Sequence, residues 1–283
     1  MIVVTAATGQ LGRLVIAELL KRTPAANIIA AVRNVDKAAD LAAQGVQVRR
    51  ADYTDPASLD AALQGASKVL LISSDALGQR VPQHRNVIDA AVRAKVGLLA
   101  YTSVLRADTS ELGLAAEHKE TEALLRASGL PVSILRNGWY QENYTAGLGA
   151  ALEHGAILGS AGQGRVAAAA RADYAAAAAV VLTSAQPEAV YELAGDDAFT
   201  LPELAAEVSR QSGKAVNYQD LPQRDYHQAL LGFGLPEGLA DLLADSDACA
   251  ARGALDDKGG ALSRLIGRPT RNLSEAVRVA LAG

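Results

Sequence analysis

The residues of this chain that invite chemistry stand at its beginning. Thr5-Ala6-Ala7-Thr8-Gly9-Gln10-Leu11-Gly12 follows a short β-branched run and opens a segment with Leu11, Leu14, Val15 and Leu19 at helical spacing. A glycine turn between a strand and a helix brings backbone close to a pyrophosphate. The phosphate charge then rests on unpaired N–H groups and the positive end of the helix dipole. Gly9 permits the approach, and Gly12 lets the helix seat tightly on the sheet. Ala6, Ala7, Thr8, Gly9, Gln10, Leu11 and Gly12 are thus the expected pyrophosphate cradle; the alternative is a tight turn that holds no ligand. Ala6 stands where such turns usually carry their first glycine, and a left-handed backbone there costs a Cβ about 1–2 kcal/mol.

Arg33 ends the next apolar run, where an NAD-specific site offers Asp or Glu to the ribose hydroxyls. A guanidinium fork suits a 2′-phosphate instead, so NADPH is expected over NADH. The competing reading is a solvated arginine at a strand end. Asp52 and Tyr53 follow the third run, where a carboxylate meets an adenine edge or merely orders a loop. Ser73, Ser74, Thr102 and Ser103 end the fourth and fifth runs. Ligands of open α/β sheets lie outside the carboxyl ends of the strands, so these hydroxyls either line a coenzyme trough or cap the following helices.

These residues need a scaffold, and the rest of the chain describes it. Apolar runs at 2–5, 27–33, 46–50, 68–73, 97–102 and 132–136 alternate with helical patterns, among them 37–43, 82–95 and 114–128. Near-continuous Val, Ile and Leu marks strands buried on both faces, and such alternation gives a Rossmann-type, doubly wound parallel sheet. After Trp139 the rhythm loosens. Residues 156–164 read as a loop or hairpin, 173–182 as a helix capped by Asp173, 190–194 as an edge strand, 200–211 as a helix, and 216–219 as a short strand. The expected division is a coenzyme-binding core over 1–137, completed by parts of 156–195, and a smaller, mostly helical lobe over 138–283.

Composition narrows the classes of function. The chain has 283 residues, 50% hydrophobic and only 4% aromatic, with 27 basic against 31 acidic residues and a net charge of −4. That balance offers nothing to nucleic acid or an anionic membrane. No stretch is long and apolar enough to span a bilayer, and the start carries no basic leader. The single cysteine, Cys249, excludes an internal disulfide and favours a reducing, cytoplasmic setting. It has no evident charged activator and reads as inert. His84, His154 and His227 show no ligand spacing, and no metal site is expected.

With these residues in place, the sequence resembles a known family. The cradle, Val32-Arg33-Asn34, Ala51-Asp52-Tyr53-Thr54-Asp55, Tyr101-Thr102-Ser103 and Arg136-Asn137-Gly138-Trp139-Tyr140 together look like the NmrA-like, atypical short-chain dehydrogenases, in particular their bacterial quinone-reductase branch. The resemblance covers essentially the whole chain. It implies an NADPH-binding Rossmann domain and a C-terminal lobe, with a cleft for a flat quinone between them. It further implies that Thr8 to Gly12 and Arg33 hold the coenzyme, and that residues 137–140, beginning with Asn137, lie near the nicotinamide.

An absence completes the reading. Ordinary short-chain dehydrogenases use a Tyr-x-x-x-Lys pair as proton donor; here Leu114 falls at the tyrosine and His118 at the lysine. Without the phenol an unactivated ketone lacks its acid. A quinone relaxes that need, because hydride addition gives a stabilised hydroquinone anion that water protonates. His118 supports the ribose, donates a proton, or simply pairs with Glu122 one turn on. Trp139 and Tyr140, with Asn143 after them, form a stacking wall for a flat ring, or Trp139 packs into core. The expectation is an NADPH-dependent oxidoreductase acting on a quinone-like acceptor, a monomer or homodimer. The alternative is a non-catalytic NADP(H) sensor.

Overall fold

The computed structural model describes residues 1–282. Six strands arise from the apolar runs: β1 (Ile2–Val4), β2 (Ile28–Val32), β3 (Gln47–Arg50), β4 (Lys68–Leu71), β5 (Leu98–Val104) and β6 (Val132–Asn137). Between them stand α1 (Gln10–Leu20), α2 (Ala39–Ala43), α3 (Pro56–Leu63), α4 (Arg80–Arg93) and α5 (Ala115–Ala127). Then come α6 (Glu142–Thr145), α7 (Leu148–His154), β7 (Ala156–Gly159), α8 (Arg171–Thr183), β8 (Val190–Leu193), α9 (Leu201–Ser212) and β9 (Asn217–Asp220). Helices α10 (Gln223–Gly232), α11 (Glu237–Ala251), α12 (Ala261–Ile266) and α13 (Leu273–Leu281) complete the chain.

The strands build one seven-stranded sheet in the order β3-β2-β1-β4-β5-β6-β8, a doubly wound Rossmann arrangement. The chain leaves β1 in opposite directions toward β2 and β4, so the switch point lies between β1 and β4. Ligands bind outside the carboxyl ends of strands at such a point. The chain partitions into two compact units. One comprises Met1–Ala107, Ala116–Asn137 and Arg171–Glu192; the other comprises Asp108–Ala115, Gly138–Ala170 and Leu193–Gly283, whose last residue is not described.

In the first unit, Val3, Ile29, Val69, Leu71, Leu99 and Ile134 meet the α3–α4 face in a dry core. On the opposite face α8 packs against α1, and its run of buried alanines, Ala175 to Ala179, allows that approach. The helix begins at Arg171, two residues before the expected Asp173 cap; Asp173 instead sits buried in its first turn. The Lys68 ammonium donates to the Leu182 and Ser184 carbonyls at 2.8 Å, where the C-terminal end of α8 favours a cation.

In the second unit, residues 156–164 form no hairpin. Strand β7 pairs parallel with β9, in register from Ala156 with Asn217 to Gly159 with Asp220. A pairing across some sixty residues leaves no periodic trace in the sequence, whereas a helix such as α9 does, with Thr200 and Glu203 closing a capping box at its start.

One buried ion cluster ties β5, β6, β8 and α5 together. The Arg136 guanidinium donates to both Glu122 carboxylate oxygens at 2.9 and 2.7 Å and to Glu192 at 2.7 Å. Ser103 and Arg126 also donate to Glu122, at 2.7 and 2.8 Å. Burial alone would raise the Glu122 carboxyl, but the bonds from Arg136, Ser103 and Arg126 outweigh it and hold it below its ordinary value. The Glu122 and Arg136 side chains are 1% and 5% exposed, so removing the carboxylate takes two charge-assisted bonds from a buried cation. Glu122→Ala is expected to lower stability by about 3–5 kcal/mol in urea denaturation. The stabilisation should be full above pH 4.5, the group's ordinary value, and lost as pH falls through its lowered folded value. A loss under about 1 kcal/mol would mean the pair is solvent-screened.

Candidate functional site

At the switch point the first unit carries a cavity of about 730 Å³, within the range of small-ligand sites. Its floor is the turn after β1. Ala6, Thr8, Gly9, Gln10, Leu11 and Gly12 all line it, whereas Ala7 is wholly buried behind them. Ala6 does adopt the left-handed region, with φ of +47°. Its carbonyl thereby turns back to accept the Gly9 N–H at 2.9 Å and closes the bend.

Helix α1 starts at this bend with no side-chain cap and no acidic residue in its first turn. Its leading amides are left to whatever occupies the cavity, the condition an anion site requires. Gly12 is forced by contact: a Cβ there would lie 2.5 Å from the Ala6 oxygen and 2.8 Å from the Ala7 Cα.

A cationic corner lies beyond the turn. Arg33, Lys37 and Arg13 all line the cavity. Arg13 is held by the Asp40 carboxylate and donates to the Lys37 carbonyl at 2.7 Å. Arg33 and Lys37 enter no ion pair among the described residues, and both are exposed where they line the cavity. Spacing singled out Arg33 alone, because Lys37 and Arg13 stand on a helical turn and on α1, and only folding gathers them. Asn34 caps that helical turn through the Asp36 N–H at 2.9 Å.

The far wall comes from the ends of β3 and β4. Asp52 lines the cavity, and its carboxylate accepts from the Thr54 N–H and hydroxyl at 2.9 and 2.7 Å. Those two bonds, with Arg33 and Arg50 beyond, hold it below its usual range despite some burial. Tyr53 lends its ring to the wall. Its hydroxyl turns inward, paired with Thr5 and donating to the Ile72 carbonyl at 2.8 Å. Ser73 and Ser74 line the cavity as expected from their place in the chain. Thr102 and Ser103 do not. The Thr102 hydroxyl accepts the Ser73 N–H at 2.9 Å, and Ser103 belongs to the Glu122 cluster. Both act from behind the wall.

Asn137 ends β6. It is 5% exposed and its side-chain oxygen has no partner within the protein. An orphaned buried acceptor is costly unless a ligand supplies the donor. The uncapped helix start and the cationic corner make the residues lining the cavity a good fit to a phosphorylated dinucleotide.

His118 lies beneath the wall. It is not paired with Glu122, whose oxygens Arg136 takes. Its Nδ1 is 2.7 Å from the Tyr101 hydroxyl and its Nε2 is 3.4 Å from Arg80. Burial, with the Arg80 charge added, pushes its pKa down to about 3, so it is neutral at physiological pH. In the second unit, Trp139 and Tyr140 are half-buried and Asn143 is exposed. Their backbone is fixed by the Ala169 N–H donating to the Trp139 carbonyl and the Asn143 N–H donating to Tyr140, both at 3.1 Å. Cys249 is buried, and although Arg252 reaches its sulfur at 3.2 Å, burial still raises the thiol. Among the described residues there is no cluster able to hold a metal and no helix long and apolar enough to cross a membrane.

Two substitutions test this turn. Ala6→Gly removes the left-handed penalty, partly offset by a more flexible unfolded chain, and should raise stability by about 0.5–1 kcal/mol. Gly12→Ala should lower it by about 1–3 kcal/mol, since backbone must move to admit the methyl group. Thermal denaturation reads both, and reversed signs would mean that the turn relaxes freely.

The geometry has counterparts. The NmrA-like family model matches residues 1–273. Quinone oxidoreductase 2 of Escherichia coli (strain K12) is 59% identical over 278 residues, covering 98% of this chain and 97% of its own length. The crystal structure of the NADPH-dependent quinone oxidoreductase of Escherichia coli, complexed with NADPH, superposes with a TM-score of 0.97 at 58% identity, covering 99% of this chain and 100% of that one. The Citrobacter sp. triphenylmethane reductase complexed with NADP(H) superposes with a TM-score of 0.95 at 41% identity, with 99% and 100% covered. By sequence and by fold, therefore, the chain belongs to the NmrA-like family.

Proposed function

We propose that this protein is an NADPH-dependent oxidoreductase that reduces a quinone or a similarly delocalised acceptor. The observation that carries the coenzyme half is the uncapped start of α1 set beside Arg33 and Lys37 in one cavity. The backbone N–H groups of Gln10, Leu11 and Gly12 take the pyrophosphate, and the two cations take the 2′-phosphate. Asp52 and the Tyr53 ring border the adenosine side, and the Asn137 side-chain oxygen accepts from the nicotinamide end. The same fold holds NADPH in the Escherichia coli relative, which is named for quinone reduction.

When bound, NADPH supplies a hydride, which with one proton from water converts a quinone to its hydroquinone. The chain's own residues support a reaction without a protein acid. Leu114 cannot donate a proton, and His118 is buried, neutral and bonded to Tyr101. Such a site favours acceptors whose reduced anion is stabilised by delocalisation over those that need protonation during hydride transfer. Trp139 and Tyr140 then serve the acceptor as flat, half-buried surfaces.

Mixing the protein with NADPH and benzoquinone, naphthoquinone or menadione should give catalytic loss of the reduced-nicotinamide absorbance. Binding without turnover would make the protein a sensor instead. Arg33→Ala and Lys37→Ala should each raise the KM for NADPH by at least about tenfold, the worth of a charge-assisted bond, while NADH use changes little. Equal losses with both coenzymes would remove these residues from the 2′-phosphate. Trp139→Ala should raise the acceptor KM more than that of NADPH, and the opposite order would place it elsewhere.

A further inference from the structure

The wall of the cavity formed by Ile72 to Ala76 has no regular structure of its own, yet every polar group of Ser74 is engaged. Its carbonyl accepts from Arg80 Nε at 2.6 Å. Its hydroxyl donates to Gln83 at 2.5 Å and accepts the Ala76 N–H at 3.1 Å. Its own N–H donates to His84 Nε2 at 2.9 Å. Three residues of the first turn and a half of α4 therefore grip one residue of the wall, and His84, with no exposure at all, is the deepest.

The protons of this contact are determined by its partners. A backbone N–H can only donate, so Nε2 of His84 must present its lone pair and the ring proton must sit on Nδ1. That nitrogen is 3.0 Å from the Thr121 hydroxyl, whose proton goes to the Glu117 carbonyl at 2.8 Å. The Thr121 oxygen is thus left as acceptor for the Nδ1 proton. The relay runs one way: Ser74 N–H to His84, His84 to Thr121, Thr121 to the backbone of α5.

We propose that His84, locked by Thr121 as its Nδ1–H tautomer, is a positioning residue for coenzyme binding, holding the Ser74 segment in place as one wall of the cavity. The inference rests on the reading of that cavity as the NADPH site. An apolar side chain of similar size would fill the same space but leave the Ser74 N–H buried without an acceptor.

The arrangement also carries a pH dependence. The groups facing His84 are Arg80 on its own helix, Glu117, His118 and Thr121 on α5, Tyr101 on β5 with ring centroids 5.4 Å away, and Tyr53 at 6.4 Å. No carboxylate pairs with the ring, and burial followed by the Arg80 charge brings its pKa to about 3. A second ring proton would set donor against donor at Ser74. With the wall released, His84 returns toward its ordinary 6.5. The released state therefore binds one more proton between pH 3 and 6.5. Wall closure is undiminished above that window and weakens with each step of acid inside it, by up to tenfold per pH unit.

The test is NADPH affinity, read by nicotinamide fluorescence, as a function of pH. Wild-type affinity should be flat above pH 6.5 and fall under acid. His84→Leu should bind roughly tenfold or more weakly at neutral pH, the effect of an orphaned buried donor. His84→Gln keeps an acceptor for Ser74 but cannot titrate, so it should restore affinity and flatten the acid limb. Should His84→Leu fail to fold, Thr121→Val should weaken binding and move the acid limb to higher pH, with Thr121→Ser restoring both. Leucine binding as tightly as histidine, or glutamine failing to rescue while valine at 121 changes nothing, would overturn the role of His84. A wild-type protein that never binds NADPH would instead overturn the coenzyme reading beneath it.

Discussion

The contact between Gly12 and the Ala6 carbonyl is the constraint on which the site depends. No atom fits between them, since even a methyl carbon on Gly12 would fall 2.5 Å from that oxygen. The first turn of α1 is pressed onto the end of β1, and its free amides are aimed into the cavity without any side chain in the way. The left-handed Ala6 is the complement of that closeness, because only a backbone bent back on itself accepts the Gly9 N–H within such a short bend. A donor set of this kind costs nothing to reorganise when an anion arrives, since the amides already point at it.

Around the bend, polar side chains at strand ends do two kinds of work. Arg33, Asp52, Ser73 and Ser74 reach the cavity, while Thr5, Thr102, Ser103 and the Tyr53 hydroxyl face inward and close bonds to backbone or to buried charges. A sheet covered on both faces offers no water to an inward hydroxyl, so each must find a partner in the protein. The inward group keeps β1, β4 and β5 in register where the outward group needs a stable platform. His84 and His118 extend the same logic one layer deeper, as neutral rings whose lone pairs and single protons each meet a defined partner.

Much of the site was legible because local chemistry writes it locally. A strand, a glycine turn and a helix within twenty residues make the floor of the cavity readable, and Ala6 is visible as an irregularity whose cost follows from its position alone. Arg33 was readable from its distance beyond the turn. Lys37 and Arg13 were not, for each is an ordinary exposed cation until folding sets it in the corner Arg33 occupies. Glu122 misled for the opposite reason. Helical spacing offers His118 as its partner, but Arg136 arrives from β6 with two bonds and wins the carboxylate. A planar fork in a buried place outcompetes a neutral ring one turn away.

Hydrophobic periodicity and short-range spacing by themselves determined the alternation of strands and helices and the place of the glycine turn, because both depend on residue types at short separations; the missing tyrosine–lysine pair was visible only against the dehydrogenases the chain resembles. Tertiary structure alone decided which hydroxyls face the cavity and which face core, that β7 lies beside β9, that Asn137 keeps an unpaired oxygen, and that His84 reaches back to the wall at Ser74. Those outcomes depend on what is brought alongside from far away in the chain. A side chain's neighbours, rather than its identity, settle whether a proton, a charge or a lone pair is spent inside the protein or left for a ligand.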